Sequence, residues 1–502
     1  QDWMNIIPGT WAFKCKRFPD GLVRKLKSRY CARGDKQVEG VDYFDTFAPV
    51  VNWQTVRMLL MMSLLLGLAT KQVDYTAAFV HAPIDKPPNW DQMTLEEQER
   101  SGVFVELPRG FTEGKHGKVL KLKKSLYGLK QSPRNFFLHL KENLEGVGFR
   151  QSETDTCLFT TDDVIALVYV DDTLLFSREK SSIEDMLERL KEPMVLEEED
   201  DVAGFLGVHI DRRDDGTINL TQTGLIDRII TALNVDDLPG KRAPAECGCL
   251  GKDKNGLPPQ ATFSYASVIG QLQYLQPHSR PGITTAVSQC ARFTHNPRRS
   301  HEKALIRIGQ YLKHARDKGL IFKVQDSHEI RIDCYVDADF AGMWGYEDRD
   351  DPSCVKSRTG FVIFVMGAPI VWKSKLQDDI ATSTMEAEYN ALSMSMRDLL
   401  PLQHLVKNVV TSLKEDDTAL ATFKTTAHED NLGCLKLAKM EPGRMTPRSK
   451  HYGVKYHWFR SKLKPNEIEI DPIKTNDQRA DMYTKNLRVL KYEANRLMTN
   501  GW

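Results

Sequence analysis

The sequence predicts a mixed α+β chain of two or three domains, the last of which is a separate α/β domain. Its 502 residues exceed the size at which a single hydrophobic core usually divides. Short apolar strands joined by turns alternate with helical segments, and a new strand-rich part begins at about residue 325. Hydrophobic residues make up 41% of the chain and charged residues 27%, a balance typical of globular proteins rather than of disordered ones.

Hairpin and helix signals alternate through the first 320 residues or so. Residues 9–50 combine short apolar runs with the turn Pro19-Asp20-Gly21, which predicts a hairpin. Apolar residues at helical spacing predict a helix at residues 299–315. Further helices are predicted at residues 53–70, 132–147, 181–192, 223–234 and 264–276. A short strand or turn is predicted at 73–80, a strand pair around one turn at 165–176, a hairpin of strands at 205–210 and 218–220, an inserted loop at 86–102 and a linker at 238–262.

The last part of the chain follows a different pattern. A strand at residues 331–336 leads into an acidic loop and a hairpin at 360–372. A helix at 385–398 and a strand at 420–427 follow, with more helix after them. A strand-rich start followed by alternating elements predicts an α/β domain.

Basic residues are concentrated in three segments, although the net charge is only +1. Residues 107–134 hold eight Lys or Arg and one acid, residues 290–318 hold eight and two, and residues 435–464 hold nine and one. Such segments can neutralise phosphates even when the total charge cancels. A solvated charged face is the alternative for each, but three together favour nucleic acid as a partner.

The nine cysteines are scattered, and Cys247 and Cys249 form the only close pair. This pattern fits neither a disulfide framework nor a zinc module and predicts reduced thiols inside a cell. The longest apolar run, residues 58–69, is too short to span a bilayer, so no membrane partner is expected. Because the sequence starts at Gln1 rather than Met, we expect a piece of a longer product.

Two adjacent acids, Asp171 and Asp172, lie between runs of apolar and β-branched residues. Burying unpaired carboxylates is costly unless a cation or proton compensates, so such a turn favours a metal. Asp-Asp occurs eight times in the chain, but only this pair has apolar sequence on both sides. Another acid, Asp74, follows an apolar residue in the segment 72–79; taken alone, it is more typical of a turn cap.

Together these segments resemble the palm of reverse transcriptases, and the surrounding sequence is similar to that of copia-type LTR retrotransposons. The similarity runs in order over nearly the whole chain, from about residue 9 to residue 487. The stretches that carry it in the first half are residues 26–34 (LKSRYCARG), 43–50 (YFDTFAPV), 125–134 (SLYGLKQSPR), 168–176 (VYVDDTLLF) and 205–208 (FLGV). The resemblance implies an α+β right-hand polymerase with fingers, palm and thumb.

The resemblance also implies a metal site. Asp74 and Asp171 would hold Mg²⁺, or Mn²⁺ in its place, with Asp172 as a supporting third carboxylate. Nucleotide addition is an in-line displacement at phosphorus, in which two metal ions assist the attacking and leaving oxygens. Mg²⁺ prefers hard oxygen ligands and shares its shell with substrate phosphates.

Six further residues would bind substrate by the same resemblance. Lys27 and Arg29 would meet the triphosphate, Phe79 would lie under the incoming sugar, and Tyr127, Gly128 and Gln131 would shape the floor beside template and nucleotide. The alternatives are surface positions for Lys27 and Arg29, a core position for Phe79 and a simple turn at Gly128.

Another set of acids lies in the last third of the chain. Asp337 follows an apolar strand, Glu386 begins a helix, Asp430 follows a strand and Asp481 opens a late helix. Each has an ordinary alternative, since Ser383 and Glu386 fit a helix capping box and Asp481 could cap its own helix.

This set resembles an RNase H domain in its copia-type version, on residues 335–342 (YVDADFAG), 357–361 (SRTGF), 384–389 (TMEAEY) and 480–485 (ADMYTK). The resemblance implies that Asp337, Glu386, Asp430 and Asp481 hold two Mg²⁺ ions on the scissile phosphate of an RNA strand. Asp339 and Glu388 are the adjacent alternatives. The His-containing loop of many RNase H enzymes is not evident, whereas the basic region 436–464 is retained, including Arg448 and Lys450-His451.

We therefore expect fingers and palm at residues 1–215, a thumb and connection at 216–325 and an α/β RNase H-like domain at 326–490. The basic helix near residue 300 would grip duplex phosphates without reading bases. The implied function is RNA- and DNA-directed DNA polymerase with ribonuclease H activity. Expected partners are an RNA template, a DNA primer, an RNA–DNA hybrid, dNTPs and other Pol products such as integrase, in cytoplasmic particles and the nucleus. The alternative is a decayed or domesticated element that binds nucleic acid without catalysis, against which the intact acids at all seven matched positions argue.

Overall fold

The computed structural model describes residues 5–17, 23–111, 117–199, 202–324, 329–413, 423–441, 444, 458–463 and 467–502. Contacts group the chain into two compact units. Unit 1 consists of Gln1–Asn52 and Ala69–Asp201, and unit 2 consists of Trp53–Leu68 and Val202–Trp502. The three-part division at residues 215 and 325 stays a prediction.

The strands and helices are numbered in chain order. The strands are β1 (Ile6–Ile7), β2 (Gly9–Arg17), β3 (Val23–Ala32), β4 (Ala69–Tyr75), β5 (Phe104–Glu106), β6 (Val119–Lys121), β7 (Arg150–Gln151), β8 (Leu158–Thr160), β9 (Val164–Tyr169), β10 (Asp172–Ser177), β11 (Leu196–Glu199), β12 (Gly204–Phe205), β13 (Val208–Arg212), β14 (Thr217–Thr221), β15 (Leu320–Lys323), β16 (Arg331–Asp339), β17 (Arg358–Val365), β18 (Ala368–Leu376), β19 (Lys424–Glu429) and β20 (Glu469–Pro472). The helices are α1 (Trp53–Leu65), α2 (Leu95–Arg100), α3 (Ser132–Gly146), α4 (Lys180–Lys191), α5 (Thr223–Ala232), α6 (Tyr265–Leu275), α7 (Thr284–Ala291), α8 (Arg299–His314), α9 (Thr384–Ser412), α10 (Leu432–Ala438), α11 (Asp481–Thr484) and α12 (Val489–Asn500).

Unit 1 is built on a six-stranded antiparallel sheet in the order β11-β4-β10-β9-β8-β7. Helix α3 buries Phe136, Leu140 and Leu144, which are spaced four residues apart and therefore share one face. These side chains join Val168 and Leu175 of the sheet in one hydrophobic core. Two smaller sheets complete the unit, the β2–β3 hairpin and the three strands β1-β5-β6.

Unit 2 contains a five-stranded sheet in the order β18-β17-β16-β19-β20. Strands β16, β17 and β18 are antiparallel neighbours, whereas β19 and β20 run parallel to β16. Helix α9 packs against β16 and β17, and it begins where the Ser383 side chain accepts a hydrogen bond from the Glu386 amide. A second sheet of four strands, β12-β13-β14-β15, lies in the same unit.

Helix α1 belongs to unit 2, although it precedes β4 of unit 1 in the sequence. It packs against β14, β15, β18 and α9. Its Arg57 is buried and donates hydrogen bonds to the carbonyl oxygens of Ile370 (2.7 Å) and Pro277 (2.6 Å). The guanidinium carbon also lies 4.2 Å from the centroid of the Trp372 ring, so this cation is held by carbonyl groups and an aromatic face.

Several predicted bounds differ from the structure. The helix expected at residues 53–70 ends at Leu65, because β4 starts at Ala69. The helix expected at 385–398 continues to Ser412 through Pro401. The expected loop 86–102 contains α2, which Thr94 and Glu97 cap reciprocally. None of the helices in the described parts of the chain meets the length and hydropathy that a bilayer-spanning segment requires.

Candidate active sites

Strand register brings the first group of acids together. Asp74 at the end of β4 lies directly opposite Asp172 at the start of β10. Glu197 of β11 lies opposite Asp74 on its other side, so three neighbouring strands present acids on one face. The Tyr75 amide donates to the Asp171 carbonyl oxygen at 2.8 Å, which fixes the β9–β10 turn beside β4. We call Asp74, Asp171 and Asp172 the first acid site.

The turn that carries Asp171 is a tight connection between two buried strands. Residues 164–168 and 173–177 are buried, whereas residues 169–172 are half-buried. Val170 adopts a φ of 51°, in the left-handed region that β-branched residues rarely occupy. The surrounding strands therefore impose a turn that its own residues disfavour, and this turn lifts Asp171 out of the core.

The first acid site carries unfavourable negative charge. Burial raises the pKa of Asp74, and Asp171 and Glu197 add to the effect while Lys27 opposes it. Burial also raises the pKa of Asp172 to about 6, with Asp171 and Asp74 as further causes. A bound cation would relieve this repulsion, so the donor set suits a divalent metal with hard oxygen preference.

Four of the predicted substrate residues gather beside these acids. The Arg29 guanidinium lies 4.7 Å from the centroid of the Tyr127 ring, and the Phe79 and Tyr127 ring centroids are 5.0 Å apart. Burial raises the pKa of Tyr127, and the charges of Asp171 and Asp74 add to it. Lys27 acts on Asp74 through its charge. A cationic and aromatic surface therefore adjoins the carboxylates.

Gly128 and Gln131 have supporting positions. Gly128 has a φ of 90°, and a Cβ there would lie 2.2 Å from the Ala32 carbonyl oxygen, so a side chain does not fit. Gln131 is fully buried; it accepts a hydrogen bond from the Gln37 amide group (2.9 Å) and donates one to the Asp42 carbonyl oxygen (2.7 Å). The amide of Gln131 is therefore engaged inside the protein, and its expected role in shaping the floor beside template and nucleotide stays a prediction.

A second group of acids meets at one edge of the five-stranded sheet. Asp337 lies near the end of β16 and Asp430 directly follows the neighbouring parallel strand β19. Glu388 reaches the same place from α9, and the three residues offer carboxylate oxygens that all lie within 4.8 Å of one another. We call Asp337, Glu388 and Asp430 the second acid site. Three carboxylates at this spacing could hold a metal ion.

Glu386 does not belong to this group. Its carboxylate accepts hydrogen bonds from the Thr382 amide (2.6 Å) and the Thr382 hydroxyl (2.8 Å), where it closes the start of α9. Two residues along an α-helix differ by about 200° in direction, so Glu386 and Glu388 face different sides. The geometry favours Glu388, the stated alternative, over Glu386, and the choice of ligand stays a prediction. Of the expected capping box, the Ser383 half is present, while the Glu386 carboxylate binds Thr382.

Asp481 lies behind the second acid site and is paired with lysines. It is fully buried, and its carboxylate contacts Lys485 at 2.7 Å and also Lys491. Lys485 further lies 3.6 Å from Asp337, and the Thr484 hydroxyl donates a hydrogen bond to Asp337. A lysine ammonium therefore bridges two of the four predicted nuclease acids, an arrangement that the sequence interpretation missed although Lys485 stands in the motif 480–485.

The carboxyl groups around the second acid site resist ionisation more strongly than those of the first. Burial raises the pKa of Glu388 to about 11, with Glu429, Asp337 and Asp430 as further causes. Burial raises the pKa of Glu429 to about 8 and that of Asp337 to about 6. Glu429 is fully buried and directly precedes Asp430. The sequence interpretation did not name it as a member of this acid group, although its position next to Asp430 could have indicated it.

Asp339, the alternative to Asp337, lies two residues further along β16, opposite Arg358 of β17. Burial raises its pKa, while Lys485 and Arg358 lower it. The carboxylate oxygens that lie within 4.8 Å of one another include those of Asp337 and not those of Asp339, which favours Asp337 as a candidate metal ligand.

The basic segments differ in what their cations do. Arg307 pairs with Glu246 at 2.9 Å, Arg316 pairs with Asp227 at 2.6 Å, and Lys313 donates to the Leu238 carbonyl oxygen at 2.9 Å. Several of the basic side chains that were expected to contact phosphates near α8 are therefore paired with acids or carbonyl groups of the protein itself. The basic residues Arg448 and Lys450-His451 lie outside the described residues.

Comparison with known proteins gives consistent matches. Residues 3–247 match the family described as reverse transcriptase (RNA-dependent DNA polymerase). The chain is 30% identical over 497 residues to the retrovirus-related Pol polyprotein from transposon TNT 1-94 of Nicotiana tabacum, covering 96% of this chain and 35% of that polyprotein. It is 28% identical over 489 residues to the Pol polyprotein from transposon RE1 of Arabidopsis thaliana, covering 96% of this chain and 31% of the relative.

Among solved structures, the foamy viral protease-reverse transcriptase dRH in complex with ds DNA matches with 14% identity and a TM-score of 0.46. The match covers 94% of this chain and 65% of that chain, and it is too weak to support a structural argument.

The sequence matches first define the class: residues 3–247 are of the reverse transcriptase type. Over nearly its whole length the chain is similar to the Pol polyproteins of plant copia-type retrotransposons. The chain spans about a third of the length of these plant polyproteins.

Proposed function

We propose that the chain is an RNA- and DNA-directed DNA polymerase with ribonuclease H activity that copies retrotransposon RNA into DNA. The observation that carries the polymerase part is the strand register that sets Asp74 opposite Asp172, beside Asp171, in a segment of reverse transcriptase type. Carboxylates on adjacent strands are a rigid platform for metal-assisted phosphoryl transfer.

In this proposal the first acid site binds Mg²⁺, or Mn²⁺ in its place, through Asp74 and Asp171, with Asp172 in support. The metal would lower the cost of the charge that develops on the attacking and leaving oxygens. Lys27 and Arg29 bind the triphosphate of a dNTP, and the Phe79 and Tyr127 rings, 5.0 Å apart, form the surface under the sugar. Gly128 and Gln131 hold the turn that carries Tyr127.

The ribonuclease part is supported by the second acid site and by the sheet that carries it. Three antiparallel strands, followed by two parallel ones, place Asp337 and Asp430 at the same sheet edge, and α9 adds Glu388. Asp481 lies behind them as a fourth acid, linked to Asp337 through Lys485. Such an arrangement suits cleavage of the RNA strand of an RNA–DNA hybrid with bound divalent metal.

The partners follow from this function. They are an RNA template, a DNA primer, the hybrid and dNTPs, and other Pol products such as integrase are proposed as well. Cytoplasmic particles and the nucleus are the proposed locations.

Primer extension on an RNA template and cleavage of a labelled hybrid, both with added Mg²⁺, test the proposal. We expect both activities in the wild-type chain, and we expect EDTA to abolish both. Loss of extension with retained hybrid binding would instead support a decayed element that binds nucleic acid. Extension without hybrid cleavage would restrict the function to polymerisation.

A further inference from the structure

A cavity in unit 2 is lined by residues of the segment 241–250 and of helices α7 and α8. Its volume of about 580 Å³ lies within the range of about 300 to 1,000 Å³ that small-molecule sites occupy. The Lys241 amide donates to the Gln310 carbonyl oxygen at 3.2 Å, and the Leu250 amide donates to Gln289 Oε1 at 3.0 Å. Hydrogen bonds therefore hold both ends of the segment against the two helices.

Two cysteines line this cavity, and they differ in how available their thiols are. Cys247 is one of only two exposed cysteines among the nine; the other, Cys15, lies on β2 of unit 1. Cys249 is half-buried, and its Sγ lies 3.9 Å from Gln289 Nε2. Burial raises the pKa of the Cys249 thiol, and the charge of Asp339 adds to the effect. Because the thiolate is the reacting form, Cys247 is the more available nucleophile.

The charged side chains of the cavity favour an anionic ligand. Lys241 and Lys303 line it, and neither has an ion-pair partner among the residues that the structure describes. Arg307 lies one helical turn after Lys303, and its buried Nε has no hydrogen-bond partner in the described parts of the chain. Its Nη1 binds Glu246, whose side chain is 81% exposed. Three cations and one acid suit a ligand with more carboxylates than ammonium groups.

We propose that the cavity binds glutathione disulfide, a small disulfide with more carboxylates than ammonium groups, and that Cys247 is its modification site. The Cys247 thiolate attacks one sulfur of the disulfide. A new S–S bond joins Cys247 to one glutathionyl group, while the other group leaves as a thiolate and takes up the proton that Cys247 released. The disulfide is thus the oxidant, and excess free glutathione reverses the step. Lys241 and Lys303 bind the carboxylates of the attached group, and Glu246 binds its ammonium group.

Intact-mass spectrometry with peptide mapping of the full chain tests the site. The probes are glutathione disulfide, the neutral hydroxyethyl disulfide and the cationic cystamine at equal concentrations. Glutathione disulfide should modify Cys247 about tenfold faster than the neutral disulfide, and cystamine should be slowest, because the cations concentrate an anion at the cavity. Cys247→Ser should abolish this modification, whereas Cys249→Ser should retain it. The measurement needs no enzymatic activity, so its outcome is separate from that of the proposed function.

Lysine variants test whether the cavity recognises the anion. Lys241→Gln combined with Lys303→Gln should remove most of the preference for glutathione disulfide at Cys247 and leave the rate at Cys15 unchanged. Lys303→Gln alone, at an exposed helix position, should remove part of the preference and guards against misfolding of the double variant.

Lys318→Gln is the matched control, because Lys318 is exposed beyond the end of α8 and does not line the cavity. We expect it to leave the preference unchanged. A preference that survives the double substitution, or that Lys318→Gln reduces to the same extent, would reflect the charge of the whole chain and would overturn the proposal. Modification of Cys249 in place of Cys247 would overturn it as well.

Discussion

The two acid sites are built in different ways. In the first, neighbouring strands and a tight turn present Asp74, Asp171 and Asp172 at a half-buried surface. In the second, a sheet edge and a long helix bring Asp337 and Glu388 together at positions that are 4% and 8% exposed. The turn of the first site is therefore half-exposed at both Asp171 and Asp172, whereas only Asp430 of the second site is half-exposed.

The two sites also differ in the cationic side chains that compensate their carboxylates. At the first site, the charge of Lys27 opposes the rise in the pKa of Asp74. The second has Lys485 in contact with both Asp337 and Asp481. Buried carboxyl groups need a cation or a proton to compensate them in the absence of metal, since isolated buried charges are costly.

Two Asp→Asn substitutions, one in each acid site, test whether the two sites act independently. Each keeps the size of the side chain and removes its charge. Asp171→Asn should reduce primer extension by about a thousandfold or more and spare hybrid cleavage, because it removes a metal ligand from one site only. Asp337→Asn should do the reverse. Steady-state rates of both activities on the same preparations measure the effect. If either variant silenced both activities while circular dichroism showed an intact fold, the two sites would not be independent.

The assignment within the second site is tested by two glutamates on one helix. Glu388→Gln should lower hybrid cleavage by about a hundredfold, since it removes one of the three converging carboxylates. Glu386→Ala should retain cleavage but lower the free energy of unfolding by about 1 kcal/mol, because it removes hydrogen bonds at the start of α9. Cleavage assays and urea titrations read the two effects. A cleavage defect confined to Glu386→Ala would restore the sequence-based assignment.

The buried carboxyl groups at and beside the second acid site should make the stability of the metal-free protein depend on pH. Glu388 and Glu429, with pKa values of about 11 and about 8, hold protons in the folded state that the unfolded chain has released. The resulting stabilisation is complete below the ordinary carboxyl pKa and is lost as the pH rises through the folded-state values. Between about pH 6 and about pH 9 in EDTA, we expect the free energy of unfolding to fall, by about 1.4 kcal/mol per pH unit for each group that stays protonated only in the folded state.

Glu388→Gln provides the control for this pH dependence, because the amide cannot titrate. Urea unfolding in EDTA should show a clearly smaller loss of stability for this variant over the same range. Added Mg²⁺ should reduce the loss in the wild-type chain. Identical pH profiles for the two proteins would show that buried charge at this position does not govern stability.

Lys485 should stabilise the metal-free protein and compete with a bound metal. Lys485→Met should lower the free energy of unfolding in EDTA by about 2 kcal/mol, a value reduced for the 40% exposure of the lysine side chain. The same variant should bind Mg²⁺ more tightly by calorimetry, because no ammonium has to be displaced. Lys491→Met, which removes a contact with Asp481 alone, should leave Mg²⁺ affinity nearly unchanged. Weaker Mg²⁺ binding in Lys485→Met would mean that the lysine assists the metal instead.

Most of the first acid site could be predicted from the sequence. Apolar residues on both sides of Asp171 and Asp172 indicate two core strands joined by one turn. Because the turn is so short, the two strands are expected to pair as a hairpin. The opposition of Asp74 to Asp172 could not be predicted from the residues, because it depends on strand register and long-range pairing. The internal contacts of Gln131 could not be predicted for a related reason, since its partners Gln37 and Asp42 lie about ninety residues away in sequence.

The second site was predicted less completely. The motif containing Glu386 and Glu388 marks a helix, but the face that meets the sheet depends on how α9 crosses β16 and β17. The end of that helix was missed because Pro401 is normally a stop signal, whereas burial of residues on both sides of it keeps the helix continuous to Ser412. The bridging role of Lys485 follows from tertiary proximity to Asp337 and has no local signature.

The position of α1 limits how the chain can be divided. The polypeptide leaves unit 1 after Asn52, forms α1 within unit 2 and returns at Ala69 to start β4, which carries Asp74. A fragment cut at residue 215 would retain α1 but lack β18 and α9, against which it packs, and would expose an apolar helix to aggregation. Unit 2 therefore cannot be exchanged as one continuous stretch of sequence, and recombination between related elements should preserve residues 53–68 together with residues 202–502 of the same parent.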